Sequence, residues 1–257
     1  MKIARFFDGK MTRWGIVEDN ELLEMEWEEY MITKYPTTGS TWRLSEVELL
    51  PPCTPSKIIG IGLNYCSHAQ EVNMELPQEP IIFMKPTTAV IGSAADIIIP
   101  ARCKRVDYEA ELGVVIGRKA KNVAAGEANN YICGYTCAND VTARDYQQKN
   151  GQWTYSKSFD TFAPIGPWIE TELNIKEAGI KGILNNEVVQ KSSFSDLIFS
   201  VEELLEYISC CMTLLPGDVI MTGTPSGIGP LKDGDLFTVS IEGIGELTNR
   251  AVLEEDK

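Results

Sequence analysis

The chain has 257 residues, 44% hydrophobic and 23% charged, which is the composition of a folded globular protein and excludes a disordered, collagen-like or coiled-coil chain. Its 37 acidic and 23 basic residues give a net charge of −14, which repels phosphate backbones and argues against nucleic acid as a partner. No apolar run approaches the roughly 18 residues of a membrane span, and Lys2 and Arg5 interrupt any signal-peptide core, so no membrane partner and a cytoplasmic location are expected. Seven cysteines with no Cys-x-x-Cys pair indicate neither a disulfide framework nor a zinc ribbon, and read as small buried hydrophobes.

Residues 1–50 read as a small β domain, with short strand-type runs at 3–7, 13–17 and 22–25 and a hairpin signal at Asp8-Gly9. Prolines 51, 52 and 55 then break regular structure, so a second, larger domain is expected over 51–257. Strands are expected at 58–63, 81–84, 97–99, 108–117 and 131–138, with a short helix at 65–72 and another at 142–149. The segment 182–190 reads as a hairpin turning at Asn185-Asn186, because asparagine tolerates the positive φ such a turn needs. Residues 200–214 form the clearest helix: Ser200 caps it, Glu203 holds the capping-box position and Pro216-Gly217 closes it. Strands at 219–222, 236–241 and 250–253 complete the chain. One long helix among many strands predicts a mixed, strand-dominated α+β architecture rather than a doubly wound parallel sheet.

Five constellations can carry chemistry. Glu109 and Glu111 fall on one face of an alternating strand, and Gly113 and Gly117 follow on that face. Two such carboxylates suit a hard cation, although an exposed acidic strand end has the same pattern. Asp140, where a strand gives way to the expected helix, is either a third carboxylate ligand or a helix cap. Arg144 and Gln147, four and seven residues on, would share a helical face and could hold a substrate carboxylate and carbonyl. His68, the only histidine, lies three residues before Glu71. A carboxylate at that spacing fixes the imidazole tautomer, as a general base requires, but an incidental surface pair is the plainer alternative. The loop 221–229, with Gly223 and Thr224, either cradles an anion or is a tight turn. Lys157 among small and aromatic residues is a weak signal alone.

Taken in order, these residues resemble the fumarylacetoacetate hydrolase family in its shorter members. The matching pieces are Gly-Leu-Asn-Tyr-x-x-His-Ala-x-Glu at 62–71, Phe-x-Lys-Pro at 83–86 and Asp-Tyr-Glu-x-Glu-Leu at 107–112. They continue with Asn-Asp-Val-Thr-Ala-Arg-Asp-x-Gln at 139–147, Lys-Ser-Phe-Asp at 157–160 and Pro-Gly-Asp-Val-Ile-x-Thr-Gly-Thr-Pro-x-Gly at 216–227. Asn186 departs from the glycine usual after Asn185, which touches only a hairpin. The resemblance implies a mixed β-sandwich roll with a small N-terminal β domain, in a homodimer. It implies Mg²⁺ or Mn²⁺ (Ca²⁺ is also compatible) on Glu109, Glu111 and Asp140, and a water-activating pair of His68 and Glu71 on a segment that orders with ligand. Lys157 would stabilise developing negative charge, and Arg144, Gln147, Thr224 and Gly223 would contact substrate.

Such a site fits a small 2-oxo acid or 1,3-dicarbonyl acid. A divalent cation would polarise its carbonyl and stabilise the departing enolate, while water activated by His68 attacks the other carbonyl. Cleavage of a C–C bond in an acylpyruvate or fumarylpyruvate-like substrate is therefore expected. Oxaloacetate decarboxylation, or isomerisation and decarboxylation of a hydroxydienedioate, would use the same site. The segments 73–79 and 149–155 are expected to decide among substrates through pocket shape. A non-enzymatic calcium binder is the reading of another class, and neither His68 nor Lys157 would serve it.

Overall fold

The computed structural model describes residues 1–26, 35–147 and 151–255. Twelve strands form one large sheet. It starts with an antiparallel meander of Lys2–Phe7, Thr12–Glu18, Glu21–Met25 and Thr37–Arg43. Lys2–Phe7 then pairs with Ala163–Glu170, joining the meander to Ile132–Asn139, Ala110–Ile116, Val219–Met221, Ile58–Gly62 and Ile81–Lys85. The sheet is mixed, because Val219–Met221 runs parallel to Ile58–Gly62 while its other neighbour, Ala110–Ile116, is antiparallel. The proline-rich stretch after residue 50 is irregular, as expected, yet the sheet is continuous across it.

A five-stranded sheet of Glu187–Ser193, Gly179–Leu184, Leu236–Ile241, Gly245–Leu253 and Asp96–Ile99 covers one face of the large one. Ala110, Leu112, Val114 and Ile116 pack there against Phe237, Val239, Ile241 and Leu247. Val115, on the opposite face, packs in a second cluster with Cys133, Ala138, Ile165 and Met221. The central strand is thus buried on both faces, which explains its long apolar run. The strand-dominated α+β architecture is the one expected.

Local chemistry accounts for most boundaries. Asn185 and Asn186 both take positive φ, 50° and 70°, at the hairpin turn. The helix Val201–Cys211 starts from the full capping box of Ser200 and Glu203. It ends at Met212, short of Pro216-Gly217, and Leu214 bridges to Ala120.

Three expectations change. The strand expected over 108–117 is split at Glu109 into Val106–Tyr108 and Ala110–Ile116, because the Glu109 N–H donates to the Asn139 side chain at 2.9 Å. The helix expected over 142–149 is a two-residue strand, Thr142–Ala143, followed by the 3₁₀ turn Arg144–Tyr146; Gln148 and Lys149 lie outside the described residues. Thr142 is drawn into a bridge with Asp107, so tertiary pairing overrides the helical spacing. All seven cysteines are unpaired, but Cys210 and Cys211 are exposed at a helix end rather than buried.

Candidate active site

Glu109, Glu111 and Asp140 converge. One carboxylate oxygen from each lies within 4.8 Å of the others. Glu109 is 5% exposed and Glu111 and Asp140 1%, so the exposed strand end is ruled out. Asp140 caps no helix; its N–H donates to the Glu109 carbonyl at 3.0 Å, across the break that splits the strand.

Three cations meet this cluster. Lys157 Nζ donates to Glu109 Oε2 at 2.8 Å and to Asp140. Arg144 donates to Glu109, to Asp107 Oδ2 at 2.8 Å and to Gln147 Oε1 at 2.6 Å. Lys85 donates to Asp140 and to the Val141 carbonyl at 3.1 Å. Burial pushes the Glu109 carboxyl up, but Lys157 and Arg144 outweigh it and hold that group below the usual carboxylate range. Burial, then the charges of Asp140 and Glu109, push Glu111 well above that range. Burial works against the charged form of Lys157, yet Asp140 and Glu109 keep its ammonium above the ordinary value. For Lys85 burial prevails and the value falls.

The donor set fits a hard divalent cation. Three carboxylate oxygens are gathered in a buried site, and the repulsion felt by Glu111 is what a cation among them would relieve. Lys157, Arg144 and Lys85 supply three unit charges against the triad and Asp107, so a bound divalent cation would tip the cluster to net positive, ready for an anionic substrate.

Glu109, Glu111, Asp140, Arg144 and Lys157 floor a cavity of about 350 Å³ lined also by His68, Gln147, Trp153 and Thr224, and Lys85 lies outside its lining. His68 Nδ1 and Glu71 Oε2 are 2.8 Å apart on the helix Cys66–Glu71. Glu71 Oε1 accepts the Gly227 N–H at 2.9 Å. With Nδ1 engaged, Nε2 is the ring nitrogen left for proton transfer.

In the loop 221–229 two amides are taken by the protein's own side chains. The Gly223 N–H donates to Glu111 Oε2 at 2.7 Å and the Gly227 N–H to Glu71, so the loop cradles two of the protein's own carboxylates. Gly223 takes φ +99°, with Asn64 Cβ 2.8 Å from where a side chain would begin. Its amide serves Glu111, and the cavity wall nearby is Thr224. The Thr224 hydroxyl donates to the Ala110 carbonyl at 2.9 Å and accepts from Gln190 at 2.8 Å.

Lys85, Asp107, Asn139 and Gln190 were not singled out from sequence as site residues. A lysine closing the apolar strand Ile81–Lys85 is the one readable signal, since a lysine is rarely buried without a partner. The other three act by holding Arg144, Glu109 and the Ala110 backbone.

A buried triad of carboxylates with lysine, arginine and a histidine–glutamate pair around one cavity is the site of an enzyme for small molecules, with a donor set suited to a divalent cation. The chain belongs to the fumarylacetoacetate hydrolase family: residues 57–252 match the fumarylacetoacetate (FAA) hydrolase C-terminal family, and residues 1–52 match the Rv2993c-like N-terminal family. It is 41% identical to a solved structure named 5-carboxymethyl-2-hydroxymuconate delta-isomerase, from Mycobacterium smegmatis, with TM-score 0.92 over 99% of this chain and 100% of that one. It is 42% identical to the mitochondrial oxaloacetate tautomerase Fahd2a of Rattus norvegicus, over 81% of this chain and 70% of that one. It is 27% identical, with TM-score 0.81, to a maleylpyruvate hydrolase from Sphingobium sp. SYK-6 solved with manganese(II) and pyruvate, over 99% and 100% of the two chains. No helix among the described residues is long and apolar enough to cross a membrane.

Proposed function

We propose that this chain hydrolyses a C–C bond in a 1,3-dicarbonyl acid of the acylpyruvate or fumarylpyruvate type. The observation that carries the reading is the meeting, in one cavity, of the carboxylate triad with Lys157 and with the paired His68 and Glu71. Glu109, Glu111 and Asp140 would hold Mg²⁺ or Mn²⁺, which when bound polarises the 2-oxo carbonyl and stabilises an enolate. Glu71 holds His68 by Nδ1, and His68 takes a proton from water at Nε2 as that water adds to the acyl carbonyl. The C–C bond then breaks, its electron pair passes to the methylene carbon as an enolate, and a proton delivered there completes pyruvate. Lys157 places a fixed positive charge where that negative charge grows. Arg144, held by Asp107, seats the substrate carboxylate together with Gln147, and Thr224 lines the same wall.

A second reading rests on the relatives named isomerase and tautomerase. Enolisation, isomerisation or decarboxylation of an oxo acid needs the triad and Lys157 but no attacking water. The test is turnover with Mg²⁺ or Mn²⁺ of acetopyruvate, oxaloacetate and a hydroxydienedioate. Release of pyruvate and acetate from acetopyruvate is expected. Turnover of oxaloacetate or the dienedioate without it would select the second reading. A homodimer, as in the family, is expected by analytical ultracentrifugation.

A further inference from the structure

The strand Ile58–Gly62 carries glycine at two positions on one face, Gly60 and Gly62. A Cβ on Gly60 would overlap the ring of Phe83, and a Cβ on Gly62 would overlap the ring of Trp153. The two bare positions are therefore seats for aromatic rings. Phe83 and Trp153 meet edge to face, with centroids 5.7 Å apart and planes at 62°. The Trp153 carbonyl accepts the Lys157 N–H at 3.1 Å and the Ser156 hydroxyl at 2.8 Å, so the turn that follows holds Trp153 in place.

Both rings line the cavity, beside Ile61, Leu63, Met74 and Ile228. The cationic side chains lining it, among the described residues, are Arg144 and Lys157, and both are bound to the carboxylate floor. The cavity thus carries charged groups that suit the oxo-acid end of a substrate and an apolar wall for the rest, and the two meet where Lys157 Nζ stands 4.8 Å from the centroid of the Phe83 ring. We propose that Trp153, seated on Gly62, is a specificity-determining residue that limits the length of an apolar acyl tail. This inference rests on the dicarbonyl-acid reading for the identity of the head group.

The test is calorimetric binding to the Mn²⁺-loaded full chain of two 2,4-dioxo acids, one with an acetyl and one with a hexanoyl tail. Turnover of both is followed in parallel. The parent protein is expected to favour the acetyl compound by about tenfold or more, the discrimination a hydrophobic pocket achieves on tail size. Trp153→Ala is expected to bring that ratio to within about threefold of unity while Mn²⁺ affinity is kept. Trp153→Phe, which keeps a ring, is expected to retain most of the preference. Gly62→Ala must lift the ring from its seat and change the ratio by about threefold or more, giving a second reading should Trp153→Ala fold poorly. A parent without preference, or a ratio that neither Trp153→Ala nor Gly62→Ala moves, would overturn the proposal. Binding with the expected ratios but no hydrolysis would remove the hydrolase reading and leave the wall; hydrolysis with flat ratios would do the reverse. Absence of binding by both acids would remove both.

Discussion

Two ionic clusters in this chain use the same side-chain chemistry at different depths. On the N-terminal meander Arg13 joins Asp8, at 2.6 Å, to Glu24, near the surface. Under the cavity, Lys85, Lys157 and Arg144 meet three carboxylates that are almost wholly buried. Pairs near enough to the surface for water and salt to screen them contribute little to stability. Buried ones carry a desolvation cost that good geometry barely offsets, so breaking one is severe. A fold that gathers three carboxylates and three basic side chains largely out of water in one place holds them for something other than stability, and the cavity above them supplies the reason.

The largest test of that contrast is Lys85→Met. It removes a buried partner of Asp140, and a loss of roughly 3–5 kcal/mol in urea unfolding is expected. Lys157→Met should cost about 10²–10³ in turnover, the range for a preorganised charge at the reacting centre. Full activity in that variant would detach the lysine from the chemistry. His68→Ala is expected to lose about 10² in hydrolysis, and Glu71→Gln to lose less, because the imidazole stays but its Nδ1 partner weakens. Both should keep Mn²⁺ affinity, since neither belongs to the carboxylate triad. Unchanged hydrolysis by His68→Ala would take the base away from this residue.

Mn²⁺ at about a hundred times its Kd should stabilise the folded chain by about 2.7 kcal/mol, a rise in Tm of roughly 5–10 °C. Glu111→Gln should remove most of that rise. The smallest effect belongs to the surface cluster. The Arg13 side chain and the Met11 N–H hold Asp8 at about 2, below its ordinary value of 3.8. A lowered carboxyl stabilises the folded state above the ordinary value and loses that contribution as pH falls through the lowered one. Asp8→Asn should therefore lower the urea midpoint slightly at pH 6, with the difference closing by pH 2. A gap that widens on acidification would contradict this assignment.

What could be read from sequence follows from which interactions are local. The Asn185-Asn186 turn and the Ser200–Glu203 capping box rest on neighbouring residues, and both are found where they were expected. The triad was legible because strand alternation placed Glu109 and Glu111 together, although the strand breaks at Glu109. The helix over 142–149 failed because Thr142 finds its partner at Asp107, 35 positions away in sequence. Arg144 and Gln147 still meet at 2.6 Å, through a 3₁₀ turn rather than the expected helix. The anion-loop reading of 221–229 recognised free amides but could not show that Glu111 and Glu71 claim two of them. Asn139 and Gln190 act only through folding, reaching the backbone 30 and 80 positions away.

The pairing of Lys2 with Glu170 has a consequence for how the chain is made. The meander that begins at Lys2 can close its hairpins as soon as it is synthesised, but the Lys2–Ile3 end of its first strand waits for residues 163–170. At ordinary translation speeds of about 5–20 residues per second, that wait is on the order of 10–30 s. Throughout it, Lys2 and Ile3 present unpaired N–H and C=O groups to the cell, while Glu48–Leu49 already covers Phe6 and Phe7. Lys2 and Arg5 in that strand are the kind of charges that discourage an open edge from pairing with another nascent chain.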